Sequence, residues 1–127
     1  MEPSSDNTPY AQIGEEKLHQ LIDRFYELVS QHPDISFLFP DDLAETARKQ
    51  KQFLTQFLGG PALYTEEHGH PMLRARHMPF PITADRAKAW LSCMELAMND
   101  VHLQEPIKSQ LFHRLSYTAQ HMINTKE

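Results

Sequence analysis

Apolar residues recur along this chain at helical spacing and almost nowhere with the alternation of strands. Between about Glu15 and Ser30, Leu18, Leu21, Ile22, Phe25 and Val29 share one helix face, with Tyr26 on its shoulder. Pro33 ends that run, and a short aromatic bridge follows, ISFLFP, in which Phe37 and Phe39 flank Leu38. A second helix is predicted from Asp42, a residue type that caps helices, to Leu58, where Gly59, Gly60 and Pro61 stop it. Thr83 caps a further helix running to about Val101, striped by Ala87, Trp90, Leu91, Met94, Ala97, Met98 and Val101. Pro106 opens the last helix as a first-turn proline, followed by Ile107, Leu111, Leu115, Ala119 and Met122. The predicted class is all-α.

Residues 59–82 break the pattern. Pro61, Pro71, Pro79 and Pro81, with Gly59, Gly60 and Gly69, forbid one long helix. Only PMLRARH, residues 71–77, has room for two turns. An irregular stretch this long in a small domain serves a function or is organised by something it holds.

Composition narrows the classes. The 127 residues suit one compact domain, read as residues 10–127 behind a flexible polar head, 1–9. The formal charge of -5 offers no broad basic face, which argues against nucleic acid as the main partner. A lone cysteine, Cys93, allows no internal disulfide and is expected in a reducing cytoplasm. The start MEPSSDNTPY lacks a basic head followed by an apolar run, so no signal peptide is expected. No apolar stretch approaches membrane-spanning length.

The candidate chemistry begins with polar groups on predicted buried faces. At about 100° per residue, Gln50 falls in the middle of the stripe formed by Leu43, Ala47, Phe53, Leu54 and Phe57, and Thr46 lies on it too. A buried amide without partners costs roughly 1–3 kcal/mol. Either Gln50 bonds a hydroxyl inside an ordinary core, or it overhangs a pocket. Lys49, on the stripe's edge beside Arg48, can lay its stem over apolar surface and reach an anion. The buried faces also hold the Trp90 indole and the Tyr26 hydroxyl. A shared polar ligand would use all four groups.

Three histidines crowd HGHPMLRARHMPFPI, residues 68–82. His68 and His70 form an H-x-H pair, but nothing completes a four-ligand zinc set. His77 differs: it ends the short helical turn, has apolar neighbours, and has Arg74 and Arg76 beside it. One histidine, an apolar slot and nearby cations are what a haem requires.

These pieces together resemble the truncated haemoglobins of group II. The resemblance runs from Tyr10 to about Asn124 and is carried by FYELV, by FP followed by TARKQKQFLTQFLGGP, by YTEEHGHPMLRARHMPFPI and by AWLSCM. It implies a globin trimmed to a two-over-two helical sandwich, holding haem b. His77 matches the proximal iron ligand. Tyr26, Gln50 and Trp90 match distal donors, and Thr46 the gate position where other globins carry a distal histidine. Phe39 matches an aromatic on the haem face, and Phe53 belongs with it. Lys49, Tyr64 and Arg76 match propionate partners. His68 and His70 are supportive at most.

The function implied is high-affinity binding of O2, with CO and NO as further ligands and a reductase, unidentified, as electron donor. The absent distal histidine and the several donors argue against simple oxygen transport. Two other readings stay open. One is a redox haem enzyme: a weak peroxidase, or a detoxifier of nitric oxide or reactive oxygen. The other is a cofactor-free helical module in which Tyr26 and Gln50 satisfy each other. The acceptor for the second ring nitrogen of His77 has no signature in the sequence.

Overall fold

The computed structural model describes residues 8–40 and 42–126, without the side chain of Arg74. Most of the predicted polar head, residues 1–7, lies outside them, as does the role of Arg74. Among the described residues there are helices and no strands. They are α1 (Pro9–Ile13), α2 (Glu15–Gln31), α3 (Ala44–Phe57), α4 (Leu63–His68), α5 (Leu73–His77), α6 (Ala84–Asp100) and α7 (Ile107–Met122), with a 3-10 turn at Ser36–Leu38. The pair α2 and α3 packs over the pair α6 and α7, chiefly through α2 against α6.

The core follows the predicted stripes. Leu18, Leu21, Ile22, Phe25 and Val29 of α2 are fully buried and meet Met94, Ala97 and Met98 of α6 in one cluster. Two polar ties set the register of these layers. Lys17 donates to the Val101 carbonyl at 2.6 Å, answering an unpaired carbonyl at the end of α6. Arg24 pairs with Asp100 at 2.8 Å. In α7, Ile107, Leu111 and Leu115 stay in the core, while Ala119 and Met122 turn toward a cavity.

Helix ends match expectation in part. Thr83 caps α6, its hydroxyl accepting from the Arg86 N–H at 3.2 Å. Asp42 does not hold the cap position of α3. Leu43 does, and the Asp42 carboxylate accepts from the Ala44 N–H one residue further on. Pro106 precedes α7 as its cap instead of standing in its first turn.

Two short helices, α1 and α4, carry no sequence stripe. Thr8 caps α1, its hydroxyl accepting from the Ala11 N–H at 3.0 Å. The Tyr10 N–H then donates to the Leu58 carbonyl, seating α1 on the end of α3. Gly60 allows this corner to close, because a Cβ there would stand 2.7 Å from the Tyr10 ring and 2.9 Å from the Thr55 carbonyl. The same corner buries Thr55 to 1% exposure, although it lies roughly opposite the α3 stripe.

Candidate functional site

The two helix layers and the 59–82 segment leave a cavity of about 370 Å³ between them. That falls in the range of small-molecule and cofactor sites. It is lined by Tyr26 of α2, by Thr46, Lys49, Gln50 and Phe53 of α3, by Tyr64 of α4, by Arg76 and His77 of α5, by Trp90 of α6 and by Phe39 after the 3-10 turn. Every site residue picked out in the sequence therefore opens on one space. Leu38, Ile35, Ala87 and Leu115 supply apolar wall. Lys49 and Arg76 are exposed, which puts cations at the cavity's open side.

Tyr26 is only 6% exposed, deeper than the shoulder position expected. Its ring packs edge-on against Phe25 at 4.9 Å and against Phe39 at 6.0 Å. Phe25 also meets the Trp90 ring edge-on at 4.9 Å. Among the described residues, neither the Tyr26 hydroxyl, the Gln50 amide nor the Trp90 N–H has a hydrogen-bond partner, and no sealed side-chain nitrogen or oxygen is left without one. The three donors thus open onto the cavity. Tyr26 and Gln50 do not pair with each other, which removes the main support for the cofactor-free module. Burial pushes the Tyr26 phenol above its ordinary pKa, so the hydroxyl keeps its proton and stays a donor.

His77 is positioned by a contact with no sequence signature. Its Nδ1 lies 2.7 Å from the Leu73 carbonyl, one helical turn back. A carbonyl only accepts, so Nδ1 carries the proton and Nε2 keeps its lone pair. That is the tautomer a metal-ligating imidazole needs.

The other two histidines do not line the cavity. His68 packs on Tyr64, 4.8 Å between ring centres, and its Nε2–H donates to Gln52 at 2.8 Å. His70 accepts from the Met72 N–H. Among the described residues no three His, Cys, Asp or Glu side chains gather as metal ligands. Arg76 donates to the His68 and His70 carbonyls at 3.3 and 3.5 Å and sits over the Tyr64 ring. Arg48 turns away from the cavity to bridge Glu45 and Glu67.

Arg86 and Asn124 also escaped the sequence reading. Arg86 lines the cavity, donates to the Pro81 carbonyl and covers the Phe37 ring at 4.9 Å. Its place on the polar edge of α6 gives no periodic signal. Asn124 lies beyond α7 and bonds back to the His77 loop. No local pattern announces a contact that distant in sequence.

Comparison with known proteins decides the family. The Bacterial-like globin family matches residues 8–124. The chain belongs to the bacterial-like globins, among the group II truncated haemoglobins. It is 66% identical over 123 residues to the Group 2 truncated hemoglobin YjbI of Bacillus subtilis, covering 97% of this chain and 93% of that one. The crystal structure of the group II truncated hemoglobin from Bacillus anthracis is similar at a TM-score of 0.93 and 64% identity, covering 94% of this chain and 93% of that one. A truncated oxygen-avid haemoglobin from Bacillus subtilis is similar at a TM-score of 0.92 and 67% identity, covering 93% and 100%.

Globin membership implies a haem iron, and the cavity's residues fit one. A single imidazole with a free Nε2, aromatic and aliphatic walls, and cations on the open side are the three things a haem asks of a protein. No helix is long and apolar enough to cross a membrane among the described residues.

Proposed function

We propose that this globin binds haem b through His77 and holds O2 tightly within a pocket of hydrogen-bond donors. The observation that carries this reading is the convergence of three unpartnered donors from α2, α3 and α6 on the cavity that also receives a Nε2-free imidazole from α5. A haem contributes an iron that takes one protein nitrogen and one diatomic molecule.

The chain's own residues do the rest. His77 presents Nε2, with its ring plane fixed by Leu73. Phe39 and Phe53 exclude water along the walls. Lys49, Arg76 and the Tyr64 hydroxyl offer partners to the carboxylates of the cofactor. Tyr26, Gln50 and Trp90 present N–H and O–H groups to a ligand that becomes polarised, and Thr46 adds a small hydroxyl beside them. Each such bond is worth about 1 kcal/mol net, so two slow ligand escape by roughly thirtyfold. The similar Bacillus subtilis haemoglobin is described as oxygen-avid, in keeping with a holder of O2 and not a carrier that delivers it. CO and NO suit the same pocket, and a reductase is the implied electron donor. A cytoplasmic setting suits the buried free thiol of Cys93.

The peroxidase form of the redox reading gains less support, since peroxide cleavage needs a proton acceptor and His77 is the one histidine in the cavity lining among the described residues. The test is an optical spectrum of the reduced protein with and without O2 and CO, for the native chain and for His77→Gly. The native protein is expected to bind both gases. His77→Gly is expected to lose tight haem retention, or to keep it only with added imidazole. Haem loss on His68→Ala or His70→Ala, with His77→Gly unaffected, would overturn the assignment.

A further inference from the structure

The helix that carries His77 has only five residues, Leu73–His77. One turn cannot hold its own conformation in water. It opens at Met72, whose φ of 46° is a left-handed conformation that a side chain other than glycine adopts at a cost. Among the described side chains of residues 59–82, only Tyr64 is buried, so core packing does not fix this loop either. Yet the imidazole must point into the cavity with little freedom if it is to ligate. Something outside the loop has to hold it.

The chain just beyond α7 supplies that hold. The Asn124 side-chain amide donates to the His77 carbonyl at 3.1 Å and to the Phe80 carbonyl at 3.0 Å. Its carbonyl oxygen accepts from the Ile82 N–H at 2.9 Å. The Asn124 and Thr125 N–H groups both donate to the Ile82 carbonyl, at 2.9 and 3.1 Å. The Thr125 hydroxyl closes on the Asn124 oxygen at 2.7 Å, fixing the amide's orientation. A residue that merely ended α7 would direct its side chain to its own last turn. This one spends the whole amide on three residues of another segment.

We propose that Asn124 is a positioning residue for His77, a clasp that sets the direction of the imidazole from its main-chain side. Leu73 fixes the ring's rotation, and Asn124 fixes the peptide from which the ring hangs. The two contacts constrain different freedoms, so neither replaces the other. Asparagine is the side chain the geometry requires. It offers an acceptor and two donors in one plane, whereas aspartate keeps the acceptor and loses both donors, and leucine keeps the shape and loses all three.

This inference rests on His77 as the iron ligand, and the experiment separates the two. The full-length haem-loaded protein is compared with Asn124→Leu, Asn124→Asp and His77→Gly. Two quantities are read: the iron–histidine stretching band of the reduced protein by resonance Raman, and the rate of haem transfer to an apomyoglobin acceptor. Both Asn124 variants are expected to shift or broaden the band and to speed haem transfer, by about tenfold for leucine. Aspartate should be no milder than leucine, because it keeps the acceptor for the Ile82 N–H but sets a carboxylate oxygen against the His77 and Phe80 carbonyls. His77→Gly should abolish the band. If His77→Gly abolishes it while both Asn124 variants leave band and transfer rate unchanged, the clasp is wrong and the ligand assignment stands. If His77→Gly leaves the band, the ligand assignment itself fails. Should the leucine variant not fold, the aspartate variant decides alone, since an unchanged band there removes any role for the two donors.

Discussion

Two of the walls around the cavity are built by opposite means. The wall of α2 and α6 is packed: Leu18, Leu21, Ile22, Phe25, Met94, Ala97 and Met98 have no exposed surface. The wall of residues 59–82 is tied. Gln56 accepts from the Thr65 N–H at 2.9 Å and donates to the Thr65 hydroxyl at 2.7 Å. Gln52 donates to Glu67 and accepts from His68, and Arg48 bridges to Glu67 at 2.6 Å. Tyr26 and Trp90 stand on the packed wall, and His77 on the tied one. Packing resists deformation in every direction, because neighbouring atoms leave no room. Hydrogen bonds near the surface compete with water and yield first. The packed wall therefore holds Tyr26 and Trp90 by bulk, whereas His77 depends on the ties made to its segment.

The largest expected effect tests this contrast. Leu21→Ala removes a fully buried side chain of the packed wall and should cost about 2–5 kcal/mol of global stability. Gln56→Ala cuts two ties of the other wall and should cost about 1 kcal/mol or less, yet speed proteolytic cleavage within residues 59–82. Urea unfolding midpoints and the position of the first cleavage check both statements. Equal midpoints for the two variants would mean that the walls do not differ.

The next effect belongs to the donors. Tyr26→Phe and Trp90→Phe should each raise the O2 dissociation rate by about tenfold, taking roughly 1.5 kcal/mol per bond to a polarised ligand. CO release should change far less. The double variant should lose less than the sum of the singles, because groups sharing one ligand do not act additively. Stopped-flow rates for both gases decide the matter. Similar changes for O2 and CO would show that the rings act by occupying space.

The smallest effect concerns the ion cluster tying α4 to α3. Hydrogen bonds from Arg48 and then Gln52 hold the Glu67 carboxyl down to about 2, below its ordinary 4.5. A depressed acid stabilises the fold above its ordinary pKa and loses that contribution as pH falls toward the depressed value. The stability difference between the native chain and Glu67→Gln should therefore be present at neutral pH, shrink below about pH 4.5 and vanish near pH 2. Both side chains are exposed, so the difference is small throughout. A difference that grew on acidification would reverse the argument.

The contrast between the walls also explains what could be read in advance. Helices α2, α3, α6 and α7 each bury one face, and a buried face writes a period into the sequence. Helices α1 and α4 have five and six residues, and α1 buries none of them, so neither leaves a period to find. The site was legible through its misfits: Gln50 in an apolar stripe, and Trp90 and Tyr26 on core faces. Those residues sit on long helices, where the expected environment is clear enough for a polar group to look out of place. Leu73 acts through its carbonyl, which every residue has. Asn124 acts across a gap in sequence that no local pattern spans. Thr55 is buried because a neighbouring corner covers the side of α3 that its own stripe marks as solvent.

Phe25 has one more property. It has no exposed surface and does not line the cavity, but its ring abuts both Tyr26 and Trp90 at 4.9 Å. A change of bulk there is expected to shift the Tyr26 and Trp90 rings together. If the proposed function holds, the dissociation rate of O2 is then adjustable from a position outside the cavity lining.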